Sequence, residues 1–328
     1  MDILNMLQRL AACHGPAGDE ENIAAAIESL AQPYADEITR DVMGNLLVHK
    51  KGKGSRLMLA AHMDTIGFIV THIDEKGLIH FGKLGGLDAA TCLHTAVRFK
   101  NGLRGLVSTD ADPEDKKLTL DDLYIDIGAK DKTEAEKQIT PGDTAVFDSG
   151  TFSAGTGRIV SPYLDDRISC AVLLKVLAEL KETENDLWFA FTVQEELGTR
   201  GAGPAAYGVE PQYAVAVDVT PADDEDMGPS KLGRGAAIKI MDRSVICHPK
   251  MVEKLKELAE TKNIPHQMDV LRMGGTDAGV IRNSRSGVCT GGVSVPCRYT
   301  HSPVEMCDTK DVEAVAALLL AIVESPLD

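Results

Sequence analysis

Aromatic side chains are scarce in this chain. Phe, Tyr and Trp make up 4% of its 328 residues, and there is a single Trp. Its core must therefore be filled by Ala, Val, Leu and Ile. Positive charge is also in deficit: 34 Lys and Arg stand against 50 Asp and Glu, a formal net charge of -16. Such a surface repels phosphate, which argues against nucleic acid and against an anionic membrane as partners. No apolar run approaches the ~20 residues of a membrane-spanning helix. The opening "MDILNMLQRLAACHG" has no basic n-region and no small-residue cleavage site, so no signal peptide is expected. The seven cysteines are scattered, odd in number and never spaced Cys-x-x-Cys. That usage fits a reducing compartment, so a cytoplasmic protein is expected and a thiolate zinc site is not.

What the sequence does contain alternates between two periods. "DILNMLQRLAACHG" and "DEENIAAAIESLAQPY" carry apolar residues at helical spacing, and Gly15-Pro16 ends the first. "EITRDVMGNLLVHKKG" reads as a hairpin and "SRLMLAAHMD" as a buried strand. Later, the helices "DDRISCAVLLKVLAELKE", "HPKMVEKLKELAETKN" and "DTKDVEAVAALLLAIVES" alternate with the strands "DLWFAFTVQEE", "YAVAVDVT" and "GVCTGGVSVP". Near-continuous apolar strands between helices predict an α/β fold, a sheet covered on both faces. Residues 67-150 differ. Short β-like pieces ("GFIVTHID", "GLIHFGKL", "TAVRFKNGLRGLVS", "LYIDIGAK", "TAVFDSG") are separated by turn signals, with one short helix at "DKTEAEKQI". This reads as a small β-barrel or sandwich inserted into an α/β domain formed by 1-66 and 151-328. "PADDEDMGP" (221–229) reads as an acidic loop, and no internal repeat is evident.

The strand ends carry the chemistry. Side chains i and i+2 share a face, so His62 and Asp64 emerge together at the carboxyl end of a strand, where ligands bind in open α/β sheets. Asp165 and Asp166 begin a helix; a plain reading makes one of them an N-cap, with Arg167 as an ionic partner. Glu195 and Glu196 follow an almost wholly apolar strand, where adjacent carboxylates repel unless a cation compensates. Asp218 ends another apolar strand, and His301 follows a third. Imidazole and carboxylate donors suit Zn²⁺, Co²⁺ or Mn²⁺. These groups are too many for one open tetrahedral ion. They fit two ions sharing a bridging carboxylate, a pair that lowers the pKa of a water and polarises a carbonyl. In this reading His62 binds metal and Asp64 holds its ring.

In order along the chain, "HMD" (62–64), "LDDR" (164–167), "EELG" (195–198), "VDVT" (217–220), "KLGRGAAIKIMDRSVICHP" (231–249), "GGTDAG" (274–279) and "RYTHSPVE" (298–305) resemble the tetrahedral-type (glutamyl, leucyl and deblocking) aminopeptidases. These are dinuclear metallopeptidases often mislabelled as endoglucanases, and the likeness spans nearly the whole chain. The resemblance implies a largely parallel, mixed sheet sandwiched by helices, with an inserted β-rich dimerisation domain. It implies one ion held by His62 and Asp218, the other by Glu196 and His301, and Asp165 as the bridge. Glu195 would be the general base and Asp64 the residue that orients His62. Thr276 and Asp277 would line the substrate pocket, with Arg298 a further substrate residue. Apart from the resemblance, Arg272, Arg282 and Arg285 flank the pocket segment and read either as a preference for acidic N-terminal residues or as solvated surface charges, so the N-terminal preference stays open. The expected substrates are short peptides, and the expected assembly is six dimers closed into a tetrahedral dodecamer. Acylase-type relatives carry their added domain before the last histidine, so the insert's position favours the tetrahedral type.

Three other readings compete. An N-acyl deacylase or a phosphoesterase would also use two ions, and Arg167, Arg200 and Arg298 could serve phosphate. A glycosidase would need paired carboxylates without metal. A non-enzymatic cage-forming scaffold would hold structural metals, which are normally single and closed.

Overall fold

The computed structural model describes residues 2–112, 117–222 and 230–327. The acidic stretch from 223 to 229 lies outside the described residues. The chain opens with α1 (Ile3–Ala11), whose first turn is capped by the Asp2 side chain accepting from Leu4 N, and α2 (Glu21–Ala31). The strands β1 (Glu37–Arg40), β2 (Leu46–Lys50) and β3 (Arg56–His62) follow. The β-rich stretch then supplies β4 (Gly67–Ile73), β5 (Ile79–Leu84), α3 (Ala89–Cys92), β6 (Ala96–Phe99), β7 (Arg104–Ser108), β8 (Tyr124–Asp126), α4 (Lys132–Glu136) and β9 (Thr144–Phe147). After it come β10 (Phe152–Ala154), β11 (Arg158–Ser161), α5 (Leu164–Glu179), β12 (Asp186–Thr192), α6 (Ala202–Val209) and β13 (Tyr213–Pro221). The last part is β14 (Ala236–Met241), α7 (Pro249–Thr261), β15 (His266–Val270), α8 (Ala278–Arg282), β16 (Cys289–Arg298), β17 (Glu305–Asp308) and α9 (Thr309–Glu324).

The main sheet runs β1-β2-β12-β3-β13-β16-β17-β11-β10, with β14 and β15 branching from β16. Its centre is parallel: β12 pairs β3, β3 pairs β13 and β13 pairs β16, all in one direction. The flanking strands β2 and β17 are antiparallel to this block. Alternation explains the layering. Leu57, Leu59 and Ala61 of β3 join the core beneath α1, α2 and α5, while Met58 and Ala60 join the core beneath α6 and α8. A strand buried on both faces must be apolar at every position, as β3 is from Leu57 to Ala61. The fold is thus the expected mixed α/β sandwich with a separate β-barrel.

The barrel closes in the order β4-β5-β8-β7-β6-β9. Phe68 packs edge-on against Phe81 (4.9 Å between centroids) and Phe147 (5.2 Å), among Ile79, Val97, Val107 and Ile125. Edge-on geometry sets the positive rim of one ring against the negative face of the other. Among the described residues, no helix is long and apolar enough to cross a membrane.

Candidate metal centre

Parallel strands point their carboxyl ends the same way, so β3, β12, β13 and β16 deliver their last residues to one edge of the sheet. His62 is the last residue of β3 and Glu195 and Glu196 sit in the turn after β12. Asp218 lies within β13, and His301 follows β16 in a left-handed conformation (φ 61°). Asp165 arrives from the start of α5.

These groups meet. Asp165 reaches both histidines, Oδ1 lying 2.9 Å from His62 Nε2 and Oδ2 lying 3.3 Å from His301 Nε2. His301 Nε2 is also 3.3 Å from Glu196 Oε2. The donor atoms of His62, Asp165 and Glu196 lie within 4.8 Å of one another, as do those of His62, Asp166 and Asp218. The His62 Nδ1–H donates to the Asp64 carbonyl oxygen at 3.1 Å, which leaves Nε2 to face the cluster. The Asp64 carboxylate, 3.6 Å from that Nδ1, accepts the backbone N–H groups of Glu195 (3.0 Å) and Glu196 (3.2 Å). Asp64 therefore touches the His62 ring and also pins the turn that bears the paired glutamates.

The plain reading of the two aspartates does not hold. Neither caps α5: the cap position is Tyr163, in a left-handed conformation, with no side-chain bond. Arg167 pairs with neither acid. Its fully buried guanidinium donates to the carbonyls of Met63 (2.8 Å), Leu10 (2.6 Å) and Gly15 (3.2 Å). It thus ties the start of α5 to the end of β3 and to the chain after α1. That use also removes Arg167 from any role toward phosphate.

The electrostatics call for cations. Burial, then the charge of neighbouring acids, pushes the carboxyls of Asp166, Glu195 and Glu196 well above the usual range, and lifts Asp218 to about 7. Asp165 goes the other way. Burial opposes its charge, but hydrogen bonds from His301 and His62 hold it below the normal carboxylate range. Burial likewise opposes a charged His62, and the Asp165 and Asp64 carboxylates outweigh it. Among the described residues, no Lys or Arg pairs with Asp165, Asp166, Glu195, Glu196 or Asp218. Glu196 Oε1 and both oxygens of Asp166 are buried without a hydrogen-bond partner. Uncompensated carboxylates at this density are unfavourable unless positive charge enters. Imidazole and carboxylate donors fit a divalent ion of the Zn²⁺, Co²⁺ or Mn²⁺ type.

The cluster opens into a cavity of about 1630 Å³. Thr276 and Arg298 line it with His62, Asp165, Glu195 and Asp218. The Thr276 hydroxyl is committed to Asp242 (3.0 Å). Asp277 lies behind the wall, accepting from the Thr192 hydroxyl at 2.5 Å, and burial lifts it to about 6. Of the flanking arginines, Arg272 lines the cavity. Arg282 donates to the Ile246 carbonyl, and Arg285 lies 3.9 Å over the Tyr207 ring and pairs with Glu210 at 2.9 Å. Arg243, not singled out from sequence, lines the cavity beside Arg272.

Two further contributors escaped the sequence reading. In the loop after β5, a Cβ on Gly86 would collide with the His301 ring, and one on Gly85 (φ 81°) would lie 2.9 Å from Glu196 Oε2. The backbone leaving the barrel strand must press onto the cluster, which requires glycine. Glu20 accepts the N–H groups of Gly18 (2.7 Å) and Gln194 (3.2 Å), and burial raises it to about 7. Nothing in its surroundings, "GDEEN", separates it from the acids of an ordinary first helical turn.

The covered mixed sheet, its carboxyl-edge donors and the open cavity make this a candidate metal-binding α/β enzyme. The chain belongs to the M42 glutamyl aminopeptidase family, whose sequence model matches residues 44–318, and it is an aminopeptidase, a hydrolase of peptide bonds. A lysyl aminopeptidase of Pyrococcus furiosus is 32% identical over 342 residues, covering 98% of each chain. The aminopeptidase APDkam598 of the archaeon Desulfurococcus kamchatkensis superposes with a TM-score of 0.95 at 37% identity, covering 98% of this chain and 94% of that one. The TET1 peptidase of Pyrococcus horikoshii, which assembles into a tetrahedron or a large octahedral shell, superposes with a TM-score of 0.91 at 32% identity, covering 98% and 99%.

Proposed function

We propose that the chain is a two-metal aminopeptidase that removes N-terminal residues from short peptides, with Glu195 as the proton carrier. The observation that carries this reading is the convergence of two histidines with several buried or half-buried carboxylates on one cavity. His62 and Asp218 would hold one ion, Glu196 and His301 the other, and Asp165, which already touches both imidazoles, would bridge them. Asp166 packs with His62 and Asp218 and would add its charge there. Bound ions of this kind, Zn²⁺ or Co²⁺ with Mn²⁺ also suited, activate water and polarise a carbonyl.

The chain's own residues do the rest. The acidic wall draws in the α-ammonium group of a peptide. Glu195 takes the proton of the attacking water on its carboxylate and returns it to the leaving amine nitrogen, a role usually contributing about 10²–10⁴-fold. Metal-stripped protein should release no free amino acid from a leucyl anilide, and Zn²⁺ or Co²⁺ should restore release. EDTA would spare a glycosidase, and phosphate release from model esters would mark a phosphoesterase.

The barrel unit, within 67-150, would serve as the dimerisation element of a domain formed by 1-66 and 151-328. Dimers would then close into a tetrahedral dodecamer, as the TET1 relative's tetrahedral assembly suggests. Mass measurement in solution tests this. Free thiols at all seven cysteines suit the cytoplasm.

A further inference from the structure

Glu305, the first residue of β17, is 1% exposed and carries no role in the account above. Its Oε2 accepts the backbone N–H of Asp165 at 2.8 Å, and its Oε1 accepts the backbone N–H of His301 at 2.8 Å. Asp165 and His301 come from distant parts of the chain, and their side chains meet 3.3 Å apart. His301 also holds a left-handed backbone, disfavoured for a residue with a Cβ. It persists only where its surroundings over-determine it. One carboxylate, one oxygen per partner, supplies that determination.

We propose that Glu305 is a positioning residue: its carboxylate clamps the Asp165 and His301 backbones together and thereby sets the affinity of the ion those two side chains share. The proposal rests on the two-metal reading. A carboxylate is needed because both contacts are N–H donors. Glutamine would offer one acceptor and turn an NH₂ group against the other N–H. Aspartate would keep both acceptors but is one methylene short of spanning them.

The test uses the full chain, stripped of metal and titrated with Co²⁺, for parent, Glu305→Gln and Glu305→Asp. Far-UV circular dichroism reports folding. The parent should take up two ions. Glu305→Gln should weaken one of them by about 10–100-fold, the usual effect of losing an outer contact to a ligand. The visible Co²⁺ absorption should change, and the amides of Asp165 and His301 should exchange faster in the metal-free state. Glu305→Asp should move the same readouts in the same direction, and it decides the matter if Glu305→Gln does not fold. Unchanged affinities together with unchanged exchange at both amides would overturn the clamp. A parent that binds a single ion would overturn the two-metal reading instead. The clamp would still predict weaker binding of that ion in both variants, because Asp165 belongs to the cluster in either case.

Discussion

Inside the barrel, Phe68, Phe81, Phe99 and Phe147 account for four of the chain's seven Phe residues, packed with aliphatic neighbours. At the carboxyl edge of the main sheet the buried residues include His62, Asp64, Asp166 and Asp218. The barrel interior is closed and the sheet edge opens on the cavity, and they differ in what they need. The barrel interior is apolar and complete as it stands, since its burial is favourable by itself. The sheet edge gathers charge of one sign, which burial penalises until a cation arrives. Most of the scarce Phe residues fill the barrel interior. A group of the abundant acids sits where a cation is called for.

The sharpest way to probe this contrast is Glu195→Gln. Turnover on an aminoacyl anilide should fall by about 10²–10⁴-fold, while metal content by elemental analysis stays at the parent value. Full activity would remove Glu195 from the chemistry. Next is Asp165→Asn, which removes the negative charge of the bridge. It should lose bound metal, and activity should fall in proportion to the ion lost. In the barrel, Phe147→Ala should destabilise by about 3–5 kcal/mol through the cavity it leaves. Denaturant titration would show this, with metal binding per folded chain unchanged. A metal defect in Phe147→Ala would show that the two regions are not energetically separate.

A smaller effect concerns pH. An acid whose folded pKa is raised keeps a proton that the unfolded chain releases, so its contribution falls as pH rises through the window. For Asp218 that window runs from 3.8 to about 7, and for Asp277 from 3.8 to about 6. His62 is also raised and loses its contribution in the same direction. His14 runs the other way: burial lowers it from 6.5 to about 4, so it costs stability as pH falls across that range. The acids and His62 outnumber it. Metal-free protein should therefore melt at a higher temperature at pH 5 than at pH 8. Zn²⁺ should reverse the order, because its ligands must deprotonate. The smallest expected change is at the cavity wall. Arg272→Ala and Arg243→Ala should alter the ratio of rates on Glu-, Leu- and Lys-anilides without altering metal content.

How much of this was legible beforehand follows from periodicity. Long apolar patterns such as "DTKDVEAVAALLLAIVES" and "YAVAVDVT" announce α9 and β13, because one face or both must be buried. The barrel strands were visible through their turns. Short or glycine-rich elements were not: α6 begins "AGPAAYG", and β15 is half-exposed, so neither carries a clear period. At the site, residues that end apolar strands stand out as misplaced charge. Residues that act through the backbone do not. Gly86 and Arg167 do their work by approach to a ring or to carbonyls, and no side-chain pattern reports which carbonyl lies nearby. Asp166 was readable as an ordinary capping residue, and only three dimensions show its oxygens turned toward His62 and Asp218.

Metal-free protein reconstituted with Zn²⁺, crystallised and measured at the zinc absorption edge, examines the central claim most directly. The account predicts two anomalous peaks per chain, both within bonding distance of Asp165, one also beside His62 and Asp218 and the other beside Glu196 and His301. A single peak, or none among these side chains, would contradict it.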